Sequence, residues 1–320
     1  MNLQVALAPM AGYTDLPFRR MCRRCGLHYA STALIDAGAL VHANPDNDEI
    51  LHRGDDEPWL QVQLLGSIPA DVLQAVRLLR EGKWRYDALD FNMGCPVKKV
   101  LKRHAGAALM RHADLALECV KIIRDEWPGP FTVKMRILDE SDSAPTVELA
   151  QRLCAAGVDG LTIHGRLAER IYSGPVHGDI IRAAREAVKV PVTANGGIFS
   201  LADAQALAAA SGCERVMVAR GAIGNPWLFR ELFDGTAVVP TSHEVLDCAE
   251  EHLALMVDEY GERAAMILGR KILSSYICGR GFPHALRACV VRISTWREAK
   301  ELLAQLRLAS PDASGTRQEA

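Results

Sequence analysis

Residues 90–100, DFNMGCPVKKV, end an apolar run with side chains that could bind or react with a ligand. Asn92 brings an amide, Cys95 a thiol, and Lys98 and Lys99 two positive charges. A buried strand needs none of these groups for packing, and buried polar groups cost free energy unless they are hydrogen-bonded. The segment therefore indicates a binding site at the end of a strand.

A second candidate is Lys134, which interrupts the apolar run FTVKMRI. An ammonium held among apolar residues needs an anionic or electron-rich partner. A flavin ring has a polar pyrimidine edge that would supply one, and Gln63 in LQVQL could pair with the same edge. The alternative is an ordinary surface lysine at the end of a strand.

Two glycines and an arginine further along the chain suit a phosphate group. The segment ANGGIF places Gly196 and Gly197 just before a helix, and VARGAIGNPW places Arg220 after a strand. Bare backbone N–H groups, a helix N-terminus and a guanidinium together bind phosphate. The alternative is that the glycines only make tight turns.

These groups need a scaffold that brings strand ends together, and the chain alternates short β-rich runs with helical patterns. The candidate strands are residues 5–8, 29–32, 60–64, 88–92, 131–135, 160–164, 191–194 and 215–219. Most are continuous apolar runs, as expected for strands covered on both faces. Eight β-then-α units predict an α/β fold, a (β/α)8 TIM barrel over residues 1–235. An open doubly wound sheet is the alternative.

The barrel interpretation also predicts where the chemistry lies, because active sites in this fold gather at the C-terminal ends of the strands. Seven of the eight candidate strands end in polar, charged or thiol groups, whereas their interiors are apolar. Solvation alone does not explain this one-sided placement, since the opposite strand ends would be equally wet. We therefore expect one site at this rim of the barrel.

The sequence pattern changes after residue 235. Residues 242–308 contain several helical patterns and no strand pattern, which predicts a second, smaller, all-helical domain. Residues 309–320 are small and polar and are expected to form a flexible tail.

Composition limits the function further. The net charge of −2 gives no global basic field, so any nucleic-acid partner must be held by local patches. Nine unpatterned cysteines, an N-terminus without signal-peptide features and the lack of a long apolar stretch predict a cytoplasmic protein that does not span a membrane. Cys22 and Cys25 form a C-x-x-C pair without a second ligand pair, so we expect helix packing there and no metal. We expect a monomer.

Seven motifs of the chain resemble, in order, those of tRNA-dihydrouridine synthases, flavoenzymes that reduce uridine in RNA. They are APMAGYTDLPFR, VQLLGS, DFNMGCPVKKV, TVKMR, LTIHGR, ANGGI and NPWLFRE. A later segment, YGERAAMILGRK, resembles the helical tail domain of the bacterial branch, which implies that residues 242–308 bind RNA.

The resemblance implies FMN in the barrel mouth and NADPH as the electron donor. Hydride would pass to C6 of the uracil ring, and Cys95 would deliver a proton to C5. A thiol is mostly protonated at neutral pH and can serve as this acid. The implied FMN contacts are Pro9, Met10, Ala11, Gln63, Lys134, His164, Asn195, Gly196, Gly197, Ala219 and Arg220.

A tRNA substrate adds a further requirement, because a uracil stacked in folded RNA must be turned out of the stack before it can react. Contacts to the base and to flanking phosphates must offset that cost. The candidates are Asn92, Lys98, Lys99, Arg136, Arg166, Arg270 and Lys271. For Arg270 and Lys271 a solvated basic surface is the alternative.

Other functions compete with this interpretation. One is a flavin barrel that reduces a free pyrimidine or another small ene substrate, and another is the same reaction on ribosomal RNA. A non-catalytic RNA-binding protein is the third, and it would have no need of Cys95. The sequence leaves open which uridine is modified.

Overall fold

The structure, a computed structural model, describes residues 3–42, 44 and 46–310 of the chain. Residues 311–320, most of the predicted tail, lie outside the described part. No helix among the described residues is both long and apolar enough to cross a membrane.

Eight parallel strands form a closed barrel in chain order, and the first strand pairs with the last. They are β1 (Gln4–Leu7), β2 (Tyr29–Asp36), β3 (Trp59–Leu65), β4 (Ala88–Met93), β5 (Phe131–Arg136), β6 (Gly160–His164), β7 (Val192–Asn195) and β8 (Arg215–Val218). All eight predicted strands are present, with boundaries that differ by a few residues at most. The predicted barrel is confirmed, and the open sheet is excluded.

The helices follow the strands as the crossover rule requires. The α-helices are α1 (Leu16–Arg24), α2 (Ala37–Val41), α3 (Asp46–Leu51), α4 (Pro69–Glu81), α5 (Lys98–Leu101), α6 (Ala113–Glu126), α7 (Ala144–Ala155), α8 (Gly178–Ala187), α9 (Leu201–Ser211), α10 (Trp227–Asp234), α11 (Ser242–Tyr260), α12 (Glu262–Ile277), α13 (His284–Cys289) and α14 (Trp296–Leu308). Short 3-10 helices span Gly106–Arg111, Arg220–Ala222 and Val290–Arg292.

Local sequence explains why the elements begin and end where they do. Ser200 caps α9 by accepting a hydrogen bond from the backbone N–H of Asp203, and Gly212 ends the helix with φ of 67°. Strand β4 is buried along its whole length, as its apolar run indicates. Asp90 and Asn92 are therefore held inside the barrel by the strand that carries them.

The chain divides into two compact units. The first contains residues 3–15 and 27–219, and so all eight strands; the second contains residues 16–26 and 220–310. Helix α1 thus belongs to the second unit, although it directly follows β1 in the chain. Compactness alone does not establish independent folding, so the predicted division at residues 1–235 and 242–308 stays a prediction.

The second unit is all-helical in its described residues, as the sequence predicts for the C-terminal region. Thr241 and Glu244 form a capping box at the start of α11, which packs along α12. His252 of α11 is 1% exposed, stacks on Phe18 of α1, and has its ring Nδ1 3.2 Å from the hydroxyl of Tyr276 in α12. Burial lowers the pKa of His252 to about 3.

Candidate active site

The barrel register places the polar residues of neighbouring strands side by side. Gln63 of β3 pairs with Asp90 of β4, and Asn92 of β4 pairs with Lys134 of β5. Further round the barrel His164 of β6 pairs with Asn195 of β7. Because all the strands are parallel, these residues form a continuous polar arc near the C-terminal ends of the strands.

The thiol of Cys95 is held by a turn directly after β4. The side-chain Oδ1 of Asn92 accepts hydrogen bonds from the backbone N–H of Gly94, at 3.1 Å, and of Cys95, at 3.0 Å. Gly106 packs against this turn with φ of +60°, and a Cβ at that position would lie 2.8 Å from the carbonyl oxygen of Cys95. The local backbone therefore fixes where the half-buried thiol lies.

Lys134 lies inside the barrel mouth, where its Nζ donates to Oδ1 of Asn195 at 2.9 Å. Nδ2 of Asn195 donates to the backbone carbonyl of Met217 at 2.7 Å, which fixes the orientation of this amide. Burial and the positive charge of Arg136 lower the pKa of Lys134 to about 8, against the opposing effects of Asp90 and Cys95. Lys134 is also the register partner of Asn92, the residue that holds the Cys95 turn.

Gln63 and Asn92 form a second buried pair. Gln63 is fully buried, and its Oε1 accepts a hydrogen bond of 2.7 Å from Nδ2 of Asn92. Nε2 of Gln63 donates to Asp90, a residue that the sequence analysis did not include among the site residues. A charged residue inside a strand covered on both faces was the available signal, and it stands two positions before Asn92 on the same strand face.

The guanidinium of Arg136 lies in the barrel wall and is 4% exposed. It donates to the backbone carbonyls of Gly94 at 2.9 Å, Leu167 at 3.0 Å and Ile171 at 3.0 Å. Arg136 therefore ties the Cys95 turn to the loop that follows β6, and burial lowers its pKa. Arg166, in that loop, donates from Nε to the carbonyl of Gly174 at 2.9 Å. The predicted role of both arginines in substrate binding stays a prediction.

The residues predicted to line the flavin from β1 lie in a tight turn directly after that strand. Pro9 and Met10 are half-buried, and Ala11 is exposed. The hydroxyl of Thr14 accepts a hydrogen bond from the N–H of Met10 and donates to the carbonyl of Ala8, both at 2.9 Å. This buried threonine, which the sequence analysis did not include, holds the turn in place.

The two glycines after β7 have positive φ angles, +125° at Gly196 and +71° at Gly197. A Cβ at Gly196 would lie 2.7 Å from the ring of His164, so the imidazole lies directly against bare backbone. Ala219 follows β8 in the first unit, and Arg220 begins a 3-10 helix in the second. The predicted phosphate-binding role of Asn195, Gly196, Gly197, Ala219 and Arg220 stays a prediction.

The predicted RNA contacts are distributed over both units. Lys98 and Lys99 are exposed on α5, directly after the Cys95 turn. Arg270 and Lys271 are half-buried on α12, and Nε of Arg270 donates to the carbonyl of Ile293 at 2.9 Å. Among the described residues, no group of three or more histidine, cysteine or acidic side chains could hold a metal ion.

Comparison with known proteins decides the family. Residues 6–310 match the family described as dihydrouridine synthase (Dus). The chain belongs to the dihydrouridine synthase family. It is 35% identical over 303 residues to a protein of Rhizobium leguminosarum bv. phaseoli named "Probable tRNA-dihydrouridine synthase", covering 95% of this chain and 94% of the relative. It is 33% identical over 275 residues to tRNA-dihydrouridine synthase B of Proteus vulgaris, covering 84% of each chain.

Solved structures add information on the fold alone. Histamine dehydrogenase from Rhizobium sp. 4-9 superimposes with a TM-score of 0.54 at 13% identity, over 79% of this chain and 49% of that one. The family resemblance drawn from the sequence motifs is confirmed, and with it the prediction that the chain is an enzyme of the dihydrouridine synthase family.

Proposed function

We propose that this dihydrouridine synthase reduces the C5–C6 double bond of uridine in tRNA to 5,6-dihydrouridine, with FMN as cofactor and NADPH as electron donor. The observation that carries the proposal is that Asn92, which accepts a hydrogen bond from the backbone N–H of Cys95, is the register partner of Lys134 on the next strand of the barrel. Relatives named for tRNA-dihydrouridine synthesis, aligned over most of this chain, support the choice of tRNA.

The donor set of the mouth suits a flavin. An ammonium has three N–H donors, and one of those of Lys134 is directed to the neutral amide of Asn195. This leaves donor capacity for an electron-rich heterocycle, and Gln63 lies two strands away on the same arc. Gly196 and Gly197 offer backbone without side chains, which the cofactor's phosphate end could approach closely. The remaining proposed contacts in the first unit are Pro9, Met10, Ala11, His164, Asn195 and Ala219, and Arg220 is the proposed contact in the second unit.

The chemistry divides between the cofactor and the chain. FMN, when bound and reduced, would supply the hydride for C6 of the uracil ring. The Sγ–H of Cys95 supplies the proton at C5, which forms the new C5–H bond and leaves a thiolate. Lys134 and Arg136 bring positive charge to the same end of the barrel, Lys134 as the register partner of Asn92 and Arg136 through its hydrogen bond to the carbonyl of Gly94. A proton from solvent then restores the thiol.

The remaining proposed contacts hold the RNA. Asn92 lies next to Cys95 and is placed to orient the uracil, whereas Lys98 and Lys99 lie on the exposed helix that follows. We assign Arg136 and Arg166 to contacts with the substrate near the uracil ring. Arg270 and Lys271, in the helical unit, are assigned to flanking phosphates. We propose that the enzyme acts as a monomer in the cytoplasm.

Two measurements test the proposal. The purified protein is expected to show the visible absorbance of an oxidised flavin after incubation with FMN, and to lose it on addition of NADPH. Dihydrouridine mapped by position in RNA from cells with and without the gene is expected to disappear from at least one tRNA position. An unchanged tRNA profile with turnover of free pyrimidines would favour a small-molecule reductase, and a loss confined to ribosomal RNA would identify that RNA as the substrate.

A further inference from the structure

Asp90 is a carboxylate inside the barrel that has no part in the proposed chemistry. It is 3% exposed, and both of its oxygens accept short hydrogen bonds. Oδ2 accepts from Nε2 of Gln63 at 2.6 Å, and Oδ1 accepts from the hydroxyl of Thr132 at 2.5 Å. Burial raises the pKa of Asp90 to about 6, against the opposing effects of these two hydrogen bonds and of Lys134.

An ionised carboxylate only accepts hydrogen bonds, so the group of Gln63 that faces Asp90 must be its NH₂. The carbonyl of Gln63 is then directed to Asn92, whose NH₂ donates to it at 2.7 Å. The carbonyl of Asn92 is in turn directed to the backbone N–H groups of Gly94 and Cys95. One continuous series of hydrogen bonds therefore joins Asp90 to the backbone of the proposed acid.

Every hydrogen bond in this series is donated in the direction from the Cys95 turn toward Asp90, and the groups at both ends have fixed donor or acceptor roles. Backbone N–H groups can only donate and the carboxylate only accepts, so each amide between them has a single orientation that satisfies both neighbours. Removing the acceptor at Asp90 would leave the NH₂ of fully buried Gln63 without its partner. The desolvation penalty of an unsatisfied buried donor is larger than the net stabilisation that one hydrogen bond contributes. Gln63 would have to move, and Asn92 would lose the neighbour that holds it.

We propose that Asp90 is a positioning residue that holds the amides of Gln63 and Asn92 and, through them, the backbone turn that carries Cys95. Its effect comes from accepting a hydrogen bond at Oδ2, and its negative charge is secondary. The consequence for catalysis rests on the proposed function of Cys95, but the consequence for the backbone turn does not.

The test measures amide hydrogen exchange at Gly94 and Cys95, in protein without added cofactor, for Asp90→Ala, Asp90→Asn and the control Thr132→Val. Asp90→Ala is expected to raise the exchange rate of these two amides about tenfold, the effect of losing one well-formed hydrogen bond. Asp90→Asn can still present its Oδ1 to Gln63 while its NH₂ faces Thr132, so it is expected to stay within about threefold of wild type.

The control removes the other hydrogen bond of Asp90, together with the one that Thr132 accepts from Nε2 of Gln61 at 2.7 Å, and leaves the hydrogen bonds from Asp90 to the turn in place. Thr132→Val keeps the shape of the side chain and leaves Gln63 on Asp90, so the two amides are expected to keep their wild-type exchange rates. Wild-type exchange in Asp90→Ala would overturn the proposal. So would an equal increase at all amides of β4 and β5, which indicates general loosening, or an equal effect of Asp90→Asn, which indicates that charge is what matters.

A kinetic measurement extends the test to catalysis. In Asp90→Ala the reduction of uridine by prereduced enzyme is expected to slow about tenfold, and Asp90→Asn is expected to restore most of the rate. If wild-type enzyme forms no dihydrouridine, the proposed function fails, whereas the exchange result on the turn still stands. If exchange rises in Asp90→Ala but uridine reduction keeps its wild-type rate, the catalytic part of the inference is wrong.

Discussion

At the scale of single residues, the proposed site depends on a thiol whose backbone is held from two sides. Asn92 accepts the N–H of Cys95, and Arg136 donates to the carbonyl of the preceding Gly94. The thiol is therefore presented by a rigid turn, although a loop carries it. Such support by neighbouring hydrogen bonds is what a proton donor requires, because proton transfer depends on a short and well-aligned approach.

Replacing the thiol tests its role directly. Cys95→Ala is expected to bind FMN and oxidise NADPH at rates near wild type, while uridine reduction falls by about 100-fold or more, the usual contribution of a general acid. Stopped-flow absorbance follows the flavin, and mass spectrometry of the RNA follows the product. Cys278→Ala, which removes an exposed thiol, is the control and should keep wild-type turnover. Normal RNA turnover by Cys95→Ala would refute the acid role.

Gly106 allows a second test of the same turn. In Gly106→Ala the new methyl group would meet the carbonyl oxygen of Cys95 at 2.8 Å, so the turn must shift. Gly235 has a similar φ, +71°, but nothing lies within 4 Å of its Cβ position, and Gly235→Ala is the matched control. Urea unfolding is expected to show a loss of about 1 kcal/mol from backbone strain in both variants, and a further loss in Gly106→Ala from the close contact with Cys95.

The two glycine variants are expected to differ in the rate of uridine reduction. Only Gly106→Ala is expected to lose uridine reduction, by about tenfold, since a misplaced catalytic group is costly even when binding is intact. Equal activity of the two variants would show that the position of the Cys95 turn does not limit the reaction.

At the scale of elements, helices α1, α11 and α12 share a core around His252. The folded protein holds this imidazole neutral, with its pKa lowered to about 3 by burial. In the unfolded chain an ordinary histidine has a pKa near 6.5. Below that pH the unfolded state binds a proton at His252, whereas the folded state does not bind it until the pH approaches 3. The contribution of His252 to the free energy of unfolding is therefore fully present above about pH 6.5 and is lost as the pH falls from there toward 3.

Acid unfolding tests this statement. Between pH 7 and pH 5 wild type is expected to lose about 2 kcal/mol of unfolding free energy through His252, and His252→Gln is expected to lack that loss. Chemical denaturation at several pH values, followed by circular dichroism, gives the slopes. His243→Gln, on the exposed side of the same helix, is the control and should keep the wild-type slope. Equal slopes for His252→Gln and wild type would contradict the burial argument.

At the scale of the whole molecule, a chain with a net charge of −2 has to bind a polyanion through local positive charge. Exposed Lys98 and Lys99 stand directly after the Cys95 turn, where an RNA whose uridine has entered the mouth would place its flanking phosphates. Binding through such contacts releases counterions and so weakens with salt.

The salt dependence of tRNA binding measures this contribution. The double variant Lys98→Ala, Lys99→Ala is expected to lower the slope of log affinity against log salt concentration by about 1 to 2. Flavin reduction by NADPH should not change. Lys83→Ala with Lys121→Ala, which removes two exposed lysines that pair with Asp48 and Asp125, is the control. A slope equal to wild type in the first double variant would exclude these phosphate contacts.

The sequence by itself determined the strands, the barrel and the family. Apolar runs marked each strand because strands covered on both faces exclude polar residues, and Ser200 and Gly212 marked a helix because capping is local. The motifs around Cys95 and Lys134 could also be recognised in the sequence, because a thiol or an ammonium in or directly after an apolar run is not explained by packing of the core.

Only the tertiary structure decided which residues contact each other across the barrel. Asp90 accepts hydrogen bonds from Gln63 and Thr132, which lie on the two neighbouring strands. Arg136 donates hydrogen bonds to backbone carbonyls of two separate loops. Helix α1 falls into the second unit rather than into that of the strand before it. Hydrogen-bond partners and packing neighbours are set by distances between residues far apart in the chain, and local patterns of apolar and polar residues carry no record of those distances.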